Sequence, residues 1–235
     1  MRKKVLLGFT TTTGSDVDQK IEEIEKLGIK EAALFLTGKD FEERRKIYNK
    51  LKNSSLEKAP HVHIRNDFQE EELEYLEKRF KVAAYNIHDR NSRFPFYDCA
   101  KEFKNHASKI YIENTETVPE DGELEELGGL CVDFSHWEDA ALLGWKKYLK
   151  QMRNKAKKYK IGCSHVSGVG ADKNLDEDLM EYHSKHYFDN LREFDYLKNY
   201  LHYLPELISL ELENSFKEQL EVKKHVEKTI AFNSI

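Results

Sequence analysis

The chain has 235 residues, 39% of them hydrophobic and 34% charged, which allows a sizeable core and excludes the low-hydrophobicity composition of disordered proteins. The net charge of −5 and the lack of a long Lys/Arg run argue against nucleic acid, duplex DNA included, as the main partner. No segment approaches the roughly 18 apolar residues that span a bilayer, and the three cysteines fit no disulfide or zinc-finger spacing, so we expect a single domain over residues 1–235 in the reducing cytoplasm.

Short apolar runs alternate with charged stretches of helical period along the whole chain, without a Pro/Gly/Ser-rich linker. Strands separated by helices pair in parallel, and about eight such units in this length favour a closed barrel over an open doubly wound sheet. The predicted fold is therefore α/β, a single (β/α)8 TIM barrel with a parallel eight-stranded closed sheet. The eight strands are predicted over residues 5–10, 31–36, 61–65, 82–88, 109–113, 130–134, 161–166 and 207–212.

Polar capping residues mark where the predicted helices begin. Ser15 is predicted to cap a helix over residues 16–27 that ends at Gly28, and further helices are predicted to begin at residues 40 and 69. One long helix is predicted over residues 137–157. The Gly-rich and then acidic stretch 167–178, after the seventh strand, is predicted to be a mobile lid over the strand ends.

Metal-binding residue types follow almost every later strand. In a parallel barrel the carboxyl ends of the strands form the active-site face, so these side chains should converge in one cup. Seven of the ten histidines lie at these ends or in the loop after the seventh strand, whereas chance would scatter them over the helices. The candidate metal ligands are His61, His88, Glu113, Asp133, His136, His165, His183 and Glu211.

Two choices within this set stay open on spacing alone. His61 and His63 alternate onto the same face of the third strand, and His183 competes with His186. Imidazole and carboxylate together suit zinc or manganese, with iron or magnesium as further options. The set exceeds the needs of one ion, so we expect more than one, bridged by a carboxylate such as Glu113 or Glu211.

Three arginines follow the third and fourth strands and are the predicted substrate contacts. A guanidinium of Arg65, Arg90 or Arg93 could hold a phosphate or a sugar hydroxyl beside the metal ions, or pair with surface carboxylates. Cys131 and Cys163 share faces with Asp133 and His165 but lie one layer deeper, which favours core packing.

The residues resemble the xylose isomerase-like TIM barrel superfamily and, within it, the endonuclease IV (AP endonuclease family 2) branch, over nearly the whole chain. The likeness is carried by residues 112–115 (Ile-Glu-Asn-Thr) and residues 129–136 (Gly-Leu-Cys-Val-Asp-Phe-Ser-His), which resemble metal motifs of the fifth and sixth strands. It favours His61, which follows Pro60, and it favours His183 in a Glu-x-His pair. The family's polar residues after the seventh-strand histidine are replaced here by Val166-Ser167-Gly168.

Two reactions suit this cup. The first is hydrolysis of a phosphoester, of a small substrate or a nucleic-acid end, in which clustered ions generate a hydroxide and Glu113 bridges them. The second is isomerisation or epimerisation of a sugar or sugar phosphate, in which one ion polarises a carbonyl while Glu113 or Glu211 moves a proton. The number of histidines favours hydrolysis. A third hypothesis is a barrel that has lost catalysis and only binds a ligand or partner. The sequence does not determine the oligomeric state.

Overall fold

The computed structural model describes residues 3–11, 15–93, 103–175 and 180–232. Eight parallel strands close into a barrel, so the predicted fold is confirmed. These strands are β1 (Lys4–Thr10), β2 (Ala32–Phe35), β3 (His61–His63), β4 (Ala84–His88), β5 (Ile110–Glu113), β6 (Leu130–Asp133), β7 (Ile161–Val166) and β10 (Leu207–Leu210). Neighbours in the barrel follow chain order from β1 to β7, after which β10 pairs with both β7 and β1.

Helices lie between most of the strands and cover the outside of the barrel. Among the described residues they are α1 (Val17–Leu27), α2 (Phe41–Lys52), α3 (Glu70–Phe80), α4 (Asp121–Glu126), α5 (Phe134–Leu142), α6 (Lys146–Lys158) and α7 (Phe216–Phe232), with 3-10 turns at Ala107–Lys109 and Leu191–Asn199. No helix among these described residues is long and apolar enough to cross a membrane.

The helix starts were predicted well, with one correction. The cap of α1 is Asp16, whose side chain accepts from the Gln19 backbone N–H at 2.9 Å, and not Ser15. Asp16 is one residue nearer the helix than Ser15. From this position its carboxylate reaches the free backbone N–H of Gln19, the third residue of the helix. Asp40 forms a complete capping box with Glu43 at the start of α2.

The single long helix predicted over residues 137–157 is wrong, because the structure has two helices there. The segment begins earlier, at Phe134, and breaks between α5 and α6 at Gly144. Gly144 has φ of +72°, a left-handed conformation that ends a helix and that glycine adopts without strain. Trp145, directly after the break, still packs against the core.

The stretch predicted as a lid is instead an ordered antiparallel hairpin over its described residues. Strand β8 (Gly168–Leu175) pairs with β9 (Glu181–Lys185), and residues 176–179 of the predicted stretch lie outside the described residues. The carboxylate of Asp139 in α5 accepts from the backbone N–H groups of His183 and Ser184, at 2.6 and 2.9 Å. This buried acceptor fastens the hairpin to the barrel.

The barrel closes where β1 meets β10, and α7 seals this seam with one glutamine. Gln219 accepts from the Gly8 N–H at 2.8 Å and donates to the carbonyls of Gly8, Leu212 and Asn214. Gly8 leaves no room for a side chain, because an added Cβ would lie 1.9 Å from the Leu210 carbonyl oxygen. The close approach of the two strands therefore depends on glycine at this position.

Candidate metal centre

Strand register brings the predicted ligands together at the carboxyl end of the barrel. His88 pairs with Glu113 across β4 and β5, and Asp133 pairs with His165 across β6 and β7. Glu211 follows β10, and its N–H donates to the Val166 carbonyl at 3.0 Å. Since side chains alternate along a strand, these positions all face the barrel interior. The structure therefore assembles these predicted ligands in one cup from five different parts of the chain.

Four buried side chains form the centre of this cup. Oxygens of Glu113, Asp133 and Glu211 and a ring nitrogen of His165 lie within 4.8 Å of one another. The His165 Nδ1 atom is 3.0 Å from Glu113 Oε1, 3.2 Å from Glu211 Oε2 and 4.0 Å from Asp133 Oδ2. None of the four is more than 6% exposed. Three carboxylates thus converge on one imidazole, away from solvent.

The two carboxylate oxygens of Asp133 make different contacts, Oδ1 with the start of α5 and Oδ2 with His165. Its Oδ1 atom caps α5 by accepting from the N–H groups of Ser135 and His136, at 2.7 and 3.1 Å. The Asn114 side chain holds the Asp133 backbone, accepting from its N–H and donating to its carbonyl. Because Oδ1 is engaged by the helix, Oδ2 remains turned towards His165.

A second cluster lies on the other side of Glu113. His63 Nε2 is 3.2 Å and His88 Nε2 is 3.9 Å from Glu113 Oε2, and the three residues have ligand atoms within 4.8 Å of one another. The Asn86 amide donates to the same Oε2 atom. Glu113 therefore directs one oxygen to His165 and the other to β3 and β4.

The charges in the cup oppose the cost of burial. Burial favours neutral Glu113, yet His165 and His63 hold its pKa well below the usual carboxyl value. Burial likewise opposes the charged form of His165, but the carboxylates of Glu113 and Glu211 raise its pKa well above that of free imidazole. Despite burial, His186 and His165 lower the pKa of Glu211 to about 2. Burial lowers the pKa of His88 to about 4.

The remaining predicted ligands lie in different places. His136 is at the rim, with Nε2 4.0 Å from Asp133 Oδ2, and it lines the cavity over the cup. His61 lies deeper in the barrel, where its Nδ1 atom is 2.7 Å from Ser209 Oγ. His183 lies in β9 with its Nδ1 atom 3.2 Å from the Gly170 carbonyl oxygen. Of each competing pair, it is His63 and His186 that line this cavity.

A cavity of about 590 Å³ opens above the cup. Arg65 and Arg93 line it together with Glu113 and Glu211, whereas Arg90 is exposed and its backbone N–H donates to Glu123. An adjoining cavity of about 430 Å³ shares His136 and His186 and is walled by aromatic and basic side chains, namely Trp145, Tyr182, Lys185 and Tyr187. Carboxylates of Glu116, Glu181 and Glu213 also line this adjoining cavity, so its wall carries both charges.

Sequence reasoning missed Asn86 and Asn114, which orient two of the carboxylates. A signal for Asn86 was present, because it lies two residues before His88 on the same face of β4. Asn114 stands in the Ile-Glu-Asn-Thr stretch that carries the resemblance, but its role was not predicted, because it acts through the backbone of the next strand.

Below the cup, the barrel interior holds a second polar layer. Cys131 and Cys163 are register partners on β6 and β7, both fully buried, and they pack with Ala84 and Tyr111 as predicted for core residues. Burial raises the pKa of the Cys131 thiol, as does Cys163. Although burial opposes it, a hydrogen bond with Cys131 and the charge of His61 lower the pKa of Cys163 to about 5.

Comparison with known proteins gives only a distant structural likeness. No protein-family model matches the chain. No curated protein is similar to it in sequence. The apo crystal structure of the 3-keto-D-glucoside 4-epimerase YcjR from E. coli is similar in fold, with a TM-score of 0.40 and 10% identity over 97% of this chain and 100% of that one. At this level of similarity the neighbour's reaction says nothing about that of this chain.

Proposed function

We propose that the protein is a divalent-metal-dependent enzyme that isomerises or epimerises a sugar or sugar phosphate. The observation that carries the proposal is the convergence of Glu113, Asp133, His165 and Glu211, all buried and within 4.8 Å of one another. One carboxylate from each of three strand ends, with one imidazole, forms a complete set of ligands for a single ion. The proposed cation is manganese or zinc, with iron or magnesium as alternatives that share these donors.

The donor set fits such a cation on charge. Three buried carboxylates carry up to three negative charges, and a protonated His165 neutralises only one of them. An uncompensated buried charge costs several kcal/mol, so a divalent ion relieves a cost that the side chains alone do not. When bound, the cation would polarise a substrate carbonyl and the adjacent hydroxyl.

The chain's own residues divide the remaining work. Glu113 and Glu211 reach the cup from β5 and the end of β10, and each has a carboxylate that could take or return the proton on the carbon beside the carbonyl. Asn86 and His63 hold Glu113 through its second oxygen, which fixes the direction of the first. Arg65 and Arg93 at the cavity wall would bind a phosphate or the substrate hydroxyls.

Fewer histidines face the cup than the sequence predicted, which weakens the argument for hydrolysis. His61 faces Ser209 below the cup, and His183 faces the hairpin backbone. Asn86 already donates to the Glu113 oxygen that a second ion would share. The four-residue set therefore accounts for the centre of the cup with one ion.

A phosphoester hydrolase with an endonuclease IV-like site is the second candidate. The cluster of His63, His88 and Glu113 favours it, because these ligand atoms also lie within 4.8 Å and share Glu113 with the first set. Two ions bridged by this carboxylate would suit activation of water and stabilisation of a leaving alkoxide.

The two candidates differ in ion count and in product. We expect one manganese ion per chain to bind the cup, and we expect deuterium from D₂O to enter the carbon beside the carbonyl of a ketose or keto-sugar, followed by NMR. Glu113→Gln and Glu211→Gln should each lower this rate at least ~100-fold, the usual contribution of an acid–base group. Glu57→Gln, at an exposed carboxylate paired with Lys30, is the matched control.

A different result would reject the isomerase. Two manganese ions in the cup, hydrolysis of model phosphodiesters and no deuterium exchange with any sugar would establish the hydrolase instead. Full activity of Glu113→Gln towards both substrate classes would rule out this cup as the active site.

A further inference from the structure

A group of sulfur and nitrogen atoms lies in the barrel interior, one layer below the carboxylates. His61, Cys131 and His165 each have a ligand atom within 4.8 Å of the others, and all three side chains are fully buried. Cys163 is the register partner of Cys131 on the neighbouring strand and interacts with both Cys131 and His61. His61 and two cysteines are thus gathered below the cup, with His165 of the cup close to them.

Two of these histidines have a buried ring nitrogen without a partner. Nε2 of His61 and Nε2 of His165 have no hydrogen-bond partner within the part of the chain that the structure describes. The Nδ1 atom of each ring is engaged, that of His61 with Ser209 and that of His165 with Glu113 and Glu211. Buried polar atoms are nearly always satisfied, so two orphaned nitrogens beside two thiols indicate a missing ligand.

We propose that His61, Cys131, Cys163 and His165 form a second cation site, specific for zinc-class ions, beneath the carboxylate cup. Two thiolates and two imidazoles are the donor set of tetrahedral zinc, whereas the oxygen-rich cup above suits harder ions. Each thiol releases its proton to solvent when the ion binds. Ser209 fixes the ring of His61 through Nδ1, as an outer hydrogen bond does for a ligating histidine.

The site would link the two layers of the barrel through His165, whose Nδ1 atom faces Glu113 and Glu211 and whose Nε2 atom has no partner among the described residues. The site shares His165 with the cup, while His61, Cys131 and Cys163 lie outside it. With both ions bound, His165 would release its second ring proton and bridge them as an imidazolate.

X-ray absorption at the zinc edge tests the proposal on the full chain, loaded with zinc under reducing conditions. We expect sulfur scatterers at about 2.3 Å, in addition to nitrogen and oxygen at about 2.0–2.1 Å. The sulfur signal should persist in the Glu113→Gln/Glu211→Gln double variant, which weakens only the cup. Cobalt-loaded protein should show thiolate-to-cobalt charge-transfer absorption under the same conditions.

The cysteines supply the controls. Cys131→Ser/Cys163→Ser should lose the sulfur signal and one ion per chain, while Cys99→Ser, at the third cysteine of the sequence, should keep both. Zinc bound by nitrogen and oxygen alone in the wild-type chain would overturn the proposal. This test does not depend on whether Cys131→Ser/Cys163→Ser folds. Loss of the signal in Cys99→Ser would also overturn it. Absence of sugar isomerisation would leave the spectra unchanged, so the two proposals fail separately.

Discussion

Arg44 is fully buried, and all five N–H groups of its guanidinium have acceptors. Its Nε and one terminal nitrogen donate to the two carboxylate oxygens of Glu72, at 2.8 and 3.0 Å, and the same terminal nitrogen donates to the Asp67 carbonyl at 3.4 Å. The other terminal nitrogen donates to Asp67 at 3.0 Å and to the Lys39 carbonyl at 2.8 Å. The guanidinium also lies 3.9 Å from the ring centre of Phe68. The planar fork of arginine is therefore required here, and not only its charge.

We expect Arg44→Lys to lower the free energy of unfolding by about 3 kcal/mol, because one ammonium cannot replace the paired bonds to Glu72 inside the core. Arg45→Lys is the matched control, since this neighbour is exposed, pairs with the exposed Glu42 and lies over the Phe41 ring, so its change should stay within about 0.5 kcal/mol. Denaturant titration measures both. Equal losses in the two variants would contradict the role given to Arg44.

At the residue scale, the sequence identified the types and strand positions of the ligands but not their depth. His61 and His63 have the same side-chain direction, so alternation cannot separate them. Their depth follows from the register of β3 against β4 and from contacts with Ser209 and Glu113, which are far away in sequence. The same limit applies to His183 and His186, whose directions depend on the hairpin that carries them.

Strands were predicted more accurately than the segments between them. The barrel strands are short apolar runs with clear ends, and each lies within two residues of its predicted bounds. The break at Gly144 was hidden because leucines and a tryptophan continue the helical period on both sides. The hairpin was hidden because β8 contains glycines and charged residues that are typical of a loop, and it is stabilised by Asp139 from another element.

The pairing of β1 with β10 gives a prediction at the scale of the element. Gly8→Ala should lower the free energy of unfolding by about 3 kcal/mol or more, because the new methyl group meets a backbone carbonyl that cannot rotate away. Gly122→Ala is the control, since nothing lies within 4 Å of its added Cβ and alanine favours the helix, so it should be neutral or stabilising by up to about 1 kcal/mol. Thermal and denaturant unfolding of both variants provide the comparison. A neutral Gly8→Ala would mean that the seam is wider than described.

At the scale of the whole molecule, the cup joins elements that are distant in the chain. A cation bound by Glu113, Asp133, His165 and Glu211 would tie together β5, β6, β7 and the end of β10. Binding to the folded state alone stabilises it by about 2.7 kcal/mol at a free ligand concentration of about 100 Kd. Metal content should therefore control the stability of the entire barrel.

We expect a chelator to lower the melting temperature of the manganese-loaded protein, and we expect the melting temperature of Asp133→Asn to respond much less. Asp18→Asn, at an exposed carboxylate paired with Lys50, should respond as the wild type does. Differential scanning calorimetry with and without chelator makes the comparison. An unchanged wild-type melting temperature after the chelator has removed the manganese would show that the cation does not stabilise the barrel.

The hydrogen bonds of Gln219 to β1 form late during synthesis of the chain. Gln219 and Gly8 are 211 residues apart, and the hydrogen bonds between them form only after α7 has been made. At translation rates of about 5–20 residues per second, the first strand waits roughly 10–40 s for the partner that closes the barrel on it. Throughout that interval β1 has an open, apolar edge, so the nascent protein depends on early neighbours such as β2, or on chaperones, to avoid aggregation.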